Sequence, residues 1–258
     1  MQPRALSFAV LNHKGGSCKS TTAVNLAGAM AERGLRALVI DLDPQGAASY
    51  WLCGEGPHRT TPGTGVSARV IATAAPGVDL LPASPADEAR ADSGAGLEED
   101  GWAFSAGDLS SLLEQGPWDV AIADCPPTLG ARTRLALAVT RELLVPVEAH
   151  VLAVRGLAQL FTAMVRLDCG PRAGGHTVRV VACRVDRRKR LSGEVLEILR
   201  ARLGPQLLQT VIRENVQLAE APSFHAPITR YAPGSPGASD YRKLAEELLA
   251  AHGRGAPE

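Results

Sequence analysis

Residues 12–21 read NHKGGSCKST, directly after a short apolar run at Ala5–Leu11 and directly before a helix-forming run at Ser20–Arg33. A strand, a glycine-containing loop and a helix start in this order are what a phosphate-binding loop requires. Backbone N–H groups of such a loop form a nest for an anion together with the helix N-terminus. Lys19 would reach the outer phosphates, and the Ser20 hydroxyl would bind magnesium. The strict GxxxxGK[ST] pattern fails at two positions, because His13 and Cys18 stand where it has glycine.

Strand-like and helix-like patterns alternate along the rest of the chain. Such alternation predicts parallel strands joined by helical crossovers, with helices on both faces of the sheet. We therefore expect a doubly wound α/β fold with a mostly parallel sheet. The other predicted strands are Ala37–Ile40, Val78–Leu81, Asp119–Ala123, Leu143–Val147, Val178–Cys183 and Leu207–Val211. The other predicted helices are Asp108–Gln115, Ala131–Val139, Val154–Leu167, Gly193–Leu203 and Asp240–Ala251.

Composition favours one globular domain over all 258 residues, since 45% of them are apolar and 21% are charged. Residues 54–116 are interpreted as a variable, loop-rich region inside that domain, and residues 253–258 as a frayed tail. No stretch approaches the roughly 18 apolar residues that span a bilayer, so we expect a cytoplasmic protein. The five cysteines include no C-x-x-C pair, which favours reduced thiols over a disulfide framework or a zinc site.

The neutral total charge hides a division between the two halves of the chain. Residues 1–128 carry 8 Lys/Arg and 15 Asp/Glu, whereas residues 129–258 carry 19 and 12. A basic half of this kind is a hint of a surface that binds polyanions. Basic residues spread over helices also commonly just face solvent, and charge alone leaves the two interpretations open.

Acidic residues stand where two predicted strands end. Asp41 and Asp43 close the second strand, and Asp124 follows Asp119–Ala123. Ligands of open α/β sheets bind at the carboxyl ends of the parallel strands. Carboxylates at that edge can hold a nucleotide-bound magnesium ion or an attacking water. The loop and the acids therefore predict one site at one edge of the sheet.

At this point the chain resembles the ParA-type, Soj-like partition ATPases of the deviant Walker A P-loop class. Residues 14–21 resemble the deviant Walker A motif, with Lys14 at the position of its extra signature lysine. The resemblance covers nearly the whole chain except residues 54–116. The stretches that carry it are Lys14–Thr21, Asp41–Gly46, Asp124–Gly130, Leu144–Ala149, Gly156–Leu160, Asn215–Ser223 and Ser235–Ala238.

The resemblance implies a slow ATP hydrolase that forms a homodimer around sandwiched ATP and Mg²⁺. Lys14, Lys19 and Asp43 are then the catalytic residues, with Lys14 reaching the nucleotide of the other subunit. Ser20, Asp41 and Asp124 are implied near the metal. The implied nucleotide-binding residues are Lys14, Gly15, Gly16, Ser17, Cys18, Lys19, Ser20, Thr21, Asp186, Arg213 and Asn215, of which the last three lie where members of this family hold the adenine base.

The ATP-bound dimer of this family binds DNA without sequence preference, and a ParB-like or cargo adaptor protein stimulates hydrolysis together with DNA. The resemblance thus implies partition or positioning of a chromosome, a plasmid or another cargo, and a location on the nucleoid without membrane binding. The densest basic cluster of the C-terminal half supplies the candidate DNA contacts. Its members are Arg184, Arg187, Arg188, Lys189 and Arg190.

Cys18 is the departure from the family pattern that matters most. It puts a β-carbon where the backbone approaches phosphate closely and where glycine is cheapest. We therefore keep a hydrolysis-impaired, nucleotide-dependent adaptor as an alternative to an active enzyme. A MinD-like ATPase that cycles on membranes is a second alternative, although the C-terminal residues 241–251 are mixed in charge and lack the basic amphipathic pattern it needs.

Overall fold

The computed structural model describes residues 5–54, 65–83, 104–150, 153–166, 176–186 and 188–253. Within these ranges the strands form an eight-stranded sheet in the order β3-β4-β2-β5-β1-β6-β7-β8. The pair β3–β4 is antiparallel and the other neighbouring pairs are parallel. The strands are β1 Leu6–Val10, β2 Ala37–Asp41, β3 Ile71–Ala72, β4 Val78–Leu81, β5 Val120–Asp124, β6 Glu142–Glu148, β7 Thr177–Val185 and β8 Leu207–Arg213.

Helices cover both faces of the sheet, as the doubly wound prediction requires. The helices are α1 Lys19–Glu32, α2 Ala47–Cys53, α3 Ala106–Gln115, α4 Ala131–Val139, α5 Ala153–Arg166, α6 Arg190–Leu203, α7 Val216–Glu220, α8 Ile228–Tyr231 and α9 Pro236–Ala250. None of them is both long enough and apolar enough to cross a lipid bilayer.

Alternation along β1 divides the core in two. Phe8 and Val10 pack into one hydrophobic cluster with α1, α2 and α9, whereas Ala9 and Leu11 pack into the other with α3 to α6. Successive strand side chains point to opposite faces, so a strand buried on both sides reads as a continuous apolar run. The predicted fold class is confirmed.

The helix α1 is a buried central element. Every residue from Thr22 to Met30 is buried, and the helix ends where Gly34 adopts a left-handed φ of 81°. The Gly34 N–H donates to the Ala31 carbonyl at 2.9 Å, which closes the last turn of the helix. The observed bounds lie within one residue of the predicted Ser20–Arg33.

The loop-rich region contains more structure than its composition predicted. Its described part includes a 3₁₀ turn at Ser67–Arg69 and the edge strand β3, and α2 lies just before it. The sequence did not predict these elements, because two to seven residues are too few to show a hydrophobic period, and the surrounding glycine, proline and small polar residues are typical of loops. Residues 55–64, 84–103 and 254–258 of the predicted loops and tail lie outside the described residues.

Candidate active site

The loop between β1 and α1 has the backbone of an anion nest. Gly16 and Cys18 both adopt left-handed conformations, with φ of 72° and 65°. Cys18 is the N-cap residue, and no side chain caps the first N–H groups of α1. Unpartnered N–H groups at a helix N-terminus, combined with the helix dipole, favour a bound anion. The loop is thus prepared for phosphate without further rearrangement of these residues.

Cys18 occupies a conformation that costs a residue with a β-carbon free energy. Its φ of 65° and ψ of 23° lie in the left-handed helical region. That region costs an L-residue about 1–2 kcal/mol. The side chain is partly buried, and it packs against the core that contains Cys183. The hydrogen bond from the Cys183 thiol lowers the pKa of the Cys18 thiol.

Strand register brings the predicted acids together. Asp41 of β2 lies opposite Asp124 of β5. Val10, the last residue of β1, also lies opposite Asp124. All three positions are at the carboxyl ends of parallel strands. The P-loop and the two acids therefore share one edge of the sheet.

Asp124 is a fully buried carboxylate whose two oxygen atoms have no hydrogen-bond partner among the described residues. Burial, reinforced by the nearby negative charge of Asp41, raises the pKa of Asp124 well above its usual range. Buried polar atoms without partners are rare in folded proteins. A divalent cation would supply the missing partner, and the carboxylate is a ligand type that Mg²⁺ prefers.

Asp41 is buried too, but hydrogen bonds occupy its oxygen atoms. Oδ2 accepts from the Ser49 N–H at 2.7 Å and from the Ser49 hydroxyl at 2.6 Å, and Oδ1 accepts from the Asp43 N–H at 3.2 Å. Burial still raises the pKa of Asp41 to about 6. These contacts tie the end of β2 to the start of α2, so Asp41 fixes the turn that carries Asp43.

Asp43 lies on this turn and lines a cavity beside the P-loop. The residue is 8% exposed, and Oδ1 accepts a hydrogen bond from the Gln45 N–H at 3.0 Å. A carboxylate in this position can hold a water molecule near a bound phosphate chain.

We call this space the P-loop cavity; it has a volume of about 870 Å³. Residues 15–21 and Asp43 line one side of it, and Arg213 and Asn215 line the other. Arg213 is held by Asp240 through hydrogen bonds of 2.6 and 2.9 Å, and Asn215 caps α7 by accepting from the Gln217 N–H at 2.8 Å. A volume of this size accommodates a small-molecule ligand.

Asp186, the third residue predicted to hold the base, lies apart from the lining of this cavity. Its carboxylate accepts hydrogen bonds from the Arg188 side chain at 3.0 and 3.2 Å. These bonds and the Arg188 backbone N–H lower the pKa of Asp186 to about 2. Arg213 and Asn215 therefore face the cavity, and Asp186 instead braces the turn before α6.

Lys14 points away from the P-loop cavity. It lines a separate cavity of about 470 Å³, which we call the Lys14 cavity, with Glu148 and His150. Its ammonium group donates to Glu148 Oε2 at 2.9 Å and lies 3.0 Å from His150 Nε2, while its side chain stays 57% exposed. Lys19, by contrast, is 7% exposed and lines the P-loop cavity. The two lysines of the loop thus face different spaces.

Comparison with known proteins places this geometry in a family. A family model described as "AAA domain" matches residues 6–169. The chain is 36% identical to the chromosome-partitioning ATPase Soj of Thermus thermophilus, over 97% of this chain and 98% of Soj. It is also 36% identical to the chromosome partitioning protein ParA of Caulobacter vibrioides, over 94% of this chain and 93% of ParA. The chain belongs to the ParA/Soj family of partition ATPases.

A solved structure supports the same fold for this ParA/Soj family member. Cobyrinic acid a,c-diamide synthase of Mycobacterium smegmatis, solved with a bound ATP analogue and magnesium, aligns with a TM-score of 0.75. The two chains are 28% identical, and the alignment covers 98% of each. The P-loop cavity and the unpartnered Asp124 are the features of this chain that suit such a nucleotide and its metal ion.

Nearby carboxylates pair with the described members of the basic cluster in this ParA/Soj chain. Arg184 donates to Glu148 at 2.9 Å, Arg188 to Asp186, and Arg190 to Glu194 at 2.8 Å. Lys189 lies 3.5 Å from Asp186 and 3.9 Å from Glu214. Arg187 lies outside the described residues. The Arg190–Glu194 pair is exposed on both sides, and such pairs are worth at most about 1 kcal/mol.

Two functional residues were missed from the sequence. Glu148 ends β6 and holds both Lys14 and Arg184. Burial raises its pKa, but the hydrogen bonds from those two cations outweigh burial and keep the pKa of Glu148 below its usual range. An acid at the end of a predicted parallel strand was the available signal. Ser49, which holds Asp41, gave no such signal because it lies on the unpredicted α2.

Proposed function

We propose that this protein hydrolyses ATP slowly, forms a homodimer around two bound ATP molecules, and binds DNA without sequence preference in that state. The observation that carries the proposal is the placement of the two P-loop lysines. Lys19 lines the P-loop cavity, whereas Lys14, on the same loop, lines the separate Lys14 cavity with a side chain that is 57% exposed and paired with Glu148. An exposed lysine outside the cavity of its own subunit can exchange this carboxylate for the nucleotide of a second subunit.

The residues present suit MgATP. The N–H groups of residues 15–21 would bind the phosphates, and Lys19 would neutralise charge on the outer ones. Ser20 and Asp124 would hold Mg²⁺, with Asp41 fixing the turn that carries Asp43. When bound, Mg²⁺ neutralises charge on the phosphate oxygens. Asp43 would position the attacking water, and the partner subunit's Lys14 would stabilise negative charge as the bond to the γ-phosphate breaks.

The basic residues around the start of α6 are the proposed DNA contacts. The side chains of Arg188 and Arg190 are 90% and 94% exposed. Side chains this exposed can reach phosphate groups, and release of counterions then lowers log K by about 0.9 per contacted phosphate for each log unit of salt. Dimerisation doubles the number of contacts, and the nucleotide state thereby controls DNA affinity.

DNA is favoured over a lipid surface because the last helix has no free apolar face. Its large side chains Tyr241, Leu244 and Leu248 are fully buried, and they belong to the core cluster that contains α1. A helix that binds a membrane interface needs an accessible apolar face. We therefore propose DNA on the nucleoid as the surface on which the protein acts, with a ParB-like or cargo adaptor that stimulates hydrolysis.

Slow turnover is favoured over a catalytically dead adaptor. Cys18 adopts the left-handed conformation that the loop requires, so its β-carbon has not pushed the nest open. Asp43 and Lys19 are both in place at the P-loop cavity. The Cys18 β-carbon, where the backbone approaches the phosphates, would weaken nucleotide binding without removing any catalytic group.

The test is the mass of the protein in solution with MgATP, measured by light scattering after gel filtration. We expect a dimer with ATP and a monomer with ADP for the wild type. Lys19→Ala should stay monomeric because it loses the nucleotide, and Lys14→Ala should bind ATP yet stay monomeric. Lys243→Ala, on exposed surface of α9, is the matched control and should dimerise as the wild type does. A wild-type monomer in saturating ATP would refute the proposal.

A further inference from the structure

Glu148 pairs with one cation from each of the two cavities beside the P-loop. It is the last residue of β6, and its side chain is 15% exposed. Oε2 accepts from the Lys14 ammonium at 2.9 Å, and Oε1 accepts from Arg184 Nη1 at 2.9 Å. Lys14 lines the Lys14 cavity, whereas Arg184 lines the P-loop cavity. One carboxylate therefore joins a side chain of the nucleotide cavity to the lysine that the proposed function assigns to a second subunit.

Lys14 has a second acceptor in its own subunit. Its ammonium group lies 3.0 Å from His150 Nε2. An ammonium group has only donors, so Nε2 accepts in this contact. The same Nε2 lies 3.6 Å from Glu148 Oε2. The lysine, the carboxylate and the imidazole thus form one compact cluster, although the lysine side chain is 57% exposed.

The register of β6 and β7 allows Lys14 to leave this cluster at little cost. Glu148 lies opposite Cys183, the residue directly before Arg184. Arg184 therefore reaches Oε1, while Lys14 occupies Oε2. A poorly exposed carboxylate is costly to leave without a cation. Because Arg184 stays on Oε1, Glu148 remains paired after Lys14 has left Oε2.

We propose that Glu148 is a positioning residue that holds Lys14 in its own subunit and competes for it with the nucleotide of a second subunit. The proposal rests on the proposed function, in which Lys14 acts on that nucleotide. A lysine whose charge is balanced by a carboxylate attracts a phosphate weakly, so Lys14 has to give up Glu148 when the dimer forms. A triphosphate carries more negative charge than a diphosphate and competes better, so Glu148 sharpens the difference between ATP and ADP.

The size of the effect follows from the symmetry of the dimer. A partly exposed ion pair changes an equilibrium constant by at most about fivefold. A symmetric dimer opens two Lys14–Glu148 pairs, so the two factors multiply. Glutamine keeps the shape of glutamate and removes its charge. We expect Glu148→Gln to lower the dissociation constant of the ATP-bound dimer by about 3- to 25-fold.

Sedimentation equilibrium over a range of protein concentrations measures this constant. A saturating non-hydrolysable ATP analogue with Mg²⁺ removes any contribution from turnover or from nucleotide affinity. The matched control is Glu194→Gln, which removes a carboxylate that pairs with Arg190 at 2.8 Å, and it should dimerise as the wild type does. The double variant Lys14→Ala/Glu148→Gln should stay monomeric like Lys14→Ala, because Glu148 acts only through Lys14.

Acylation of lysine tests the contact without nucleotide and without the dimer. The nucleotide-free protein is treated briefly with acetic anhydride, and mass spectrometry of its peptides compares Lys14 with Lys243, which is exposed on α9. An ammonium group held by a carboxylate is less available to the reagent. We expect the ratio of Lys14 to Lys243 acylation to rise by about twofold or more in Glu148→Gln and to stay unchanged in Glu194→Gln. His150→Ala removes the other acceptor and should shift both measurements in the same direction, which keeps the test available if Glu148→Gln does not fold.

The outcomes separate this proposal from the proposed function. If the acylation ratio does not rise in Glu148→Gln, the carboxylate does not hold Lys14 and the proposal is wrong. If the ratio rises but the variant dimerises no more tightly than the wild type, or if the double variant dimerises, Glu148 does not compete for Lys14 and the proposal is wrong while the dimer stands. If neither the wild type nor Glu148→Gln dimerises, the proposed function fails and the competition fails with it, while acylation still reports the contact.

Discussion

Replacing Asp124 with asparagine should make the nucleotide-free protein more stable and remove its stabilisation by MgATP. Asp124 is fully buried, and both of its oxygen atoms lack a partner among the described residues. A site that keeps such a carboxylate sacrifices stability for a ligand, so neutralising the carboxylate should recover part of that stability. Asparagine has the same shape, and the effect therefore reports charge and not packing.

The size of the gain follows from the cost of an unpartnered buried group, which is about 1–3 kcal/mol and more when the group is charged. The asparagine amide also lacks partners, so the gain comes from removing the charge and its repulsion with Asp41. For a domain of this size, 1 kcal/mol moves Tm by about 2–4 °C. Bound nucleotide at 100 times its Kd should add about 2.7 kcal/mol to the wild type and almost none to the variant.

The dependence of stability on pH tests the predicted gain from Asp124→Asn in a second way. The pKa of Asp124 is higher in the folded state than in the unfolded state, where it is 3.8. The free energy of unfolding of the wild type therefore falls as the pH rises above 3.8, and the fall is complete above the pKa of the folded state. The advantage of Asp124→Asn should therefore grow from pH 4 to pH 8. Burial raises the pKa of Asp41 to about 6, so this residue also lowers the stability of the folded protein as the pH rises from 4 to 6.

The assay is urea unfolding with and without MgATP at several pH values. Asp119→Asn is the control, because Asp119 lies just before the amino end of the same strand, at the opposite edge of the sheet. MgATP should stabilise this variant as much as it stabilises the wild type. The reasoning is refuted if Asp124→Asn is less stable than the wild type at pH 8 without nucleotide, or if MgATP stabilises it by the wild-type amount.

Three further substitutions probe the loop and the turn. Lys14→Ala should lower turnover by about 100-fold while leaving ATP affinity within twofold, because the lysine acts on the nucleotide of the other subunit. Steady-state hydrolysis measures turnover, and titration with an ATP analogue measures affinity. A large loss of affinity would contradict the assignment. Asp43→Ala should lower turnover by about 100-fold or more and accumulate an ATP-bound, DNA-bound dimer, whereas hydrolysis at the wild-type rate would remove Asp43 from the mechanism. Cys18→Gly should raise ATP affinity, because it removes a β-carbon where the backbone approaches the phosphates. Tm should change little, because the relief of about 1–2 kcal/mol of strain in the folded state is offset by the freer unfolded chain. Unchanged affinity would mean that the β-carbon is harmless.

The fold was predictable because its elements are long and periodic. The buried strand at Ala37–Asp41 is a continuous apolar run, and α1 has a helix-forming composition closed by Gly34. The clustering of Asp41 and Asp124 with the P-loop followed from one rule, that parallel strands place their carboxyl ends at one edge. The short elements α2 and β3 were missed because so few residues show no period.

The candidate site was predictable where a residue acts through its own position on a strand or loop. The roles of Ser49 and Glu148 were not, because they depend on which side chains meet across the sheet. Asp186 was assigned to the base-binding side by resemblance, and in the structure its carboxylate is engaged by Arg188 instead.

The central claim is that ATP joins two subunits and that only the joined pair binds DNA. Sedimentation velocity of a fluorescent random-sequence duplex, with the protein in MgATP or MgADP at low salt, tests it in one experiment. We predict complexes that contain two subunits or multiples of two in ATP and free duplex in ADP. Equal binding in the two nucleotides, or complexes that contain a single subunit, would contradict the account.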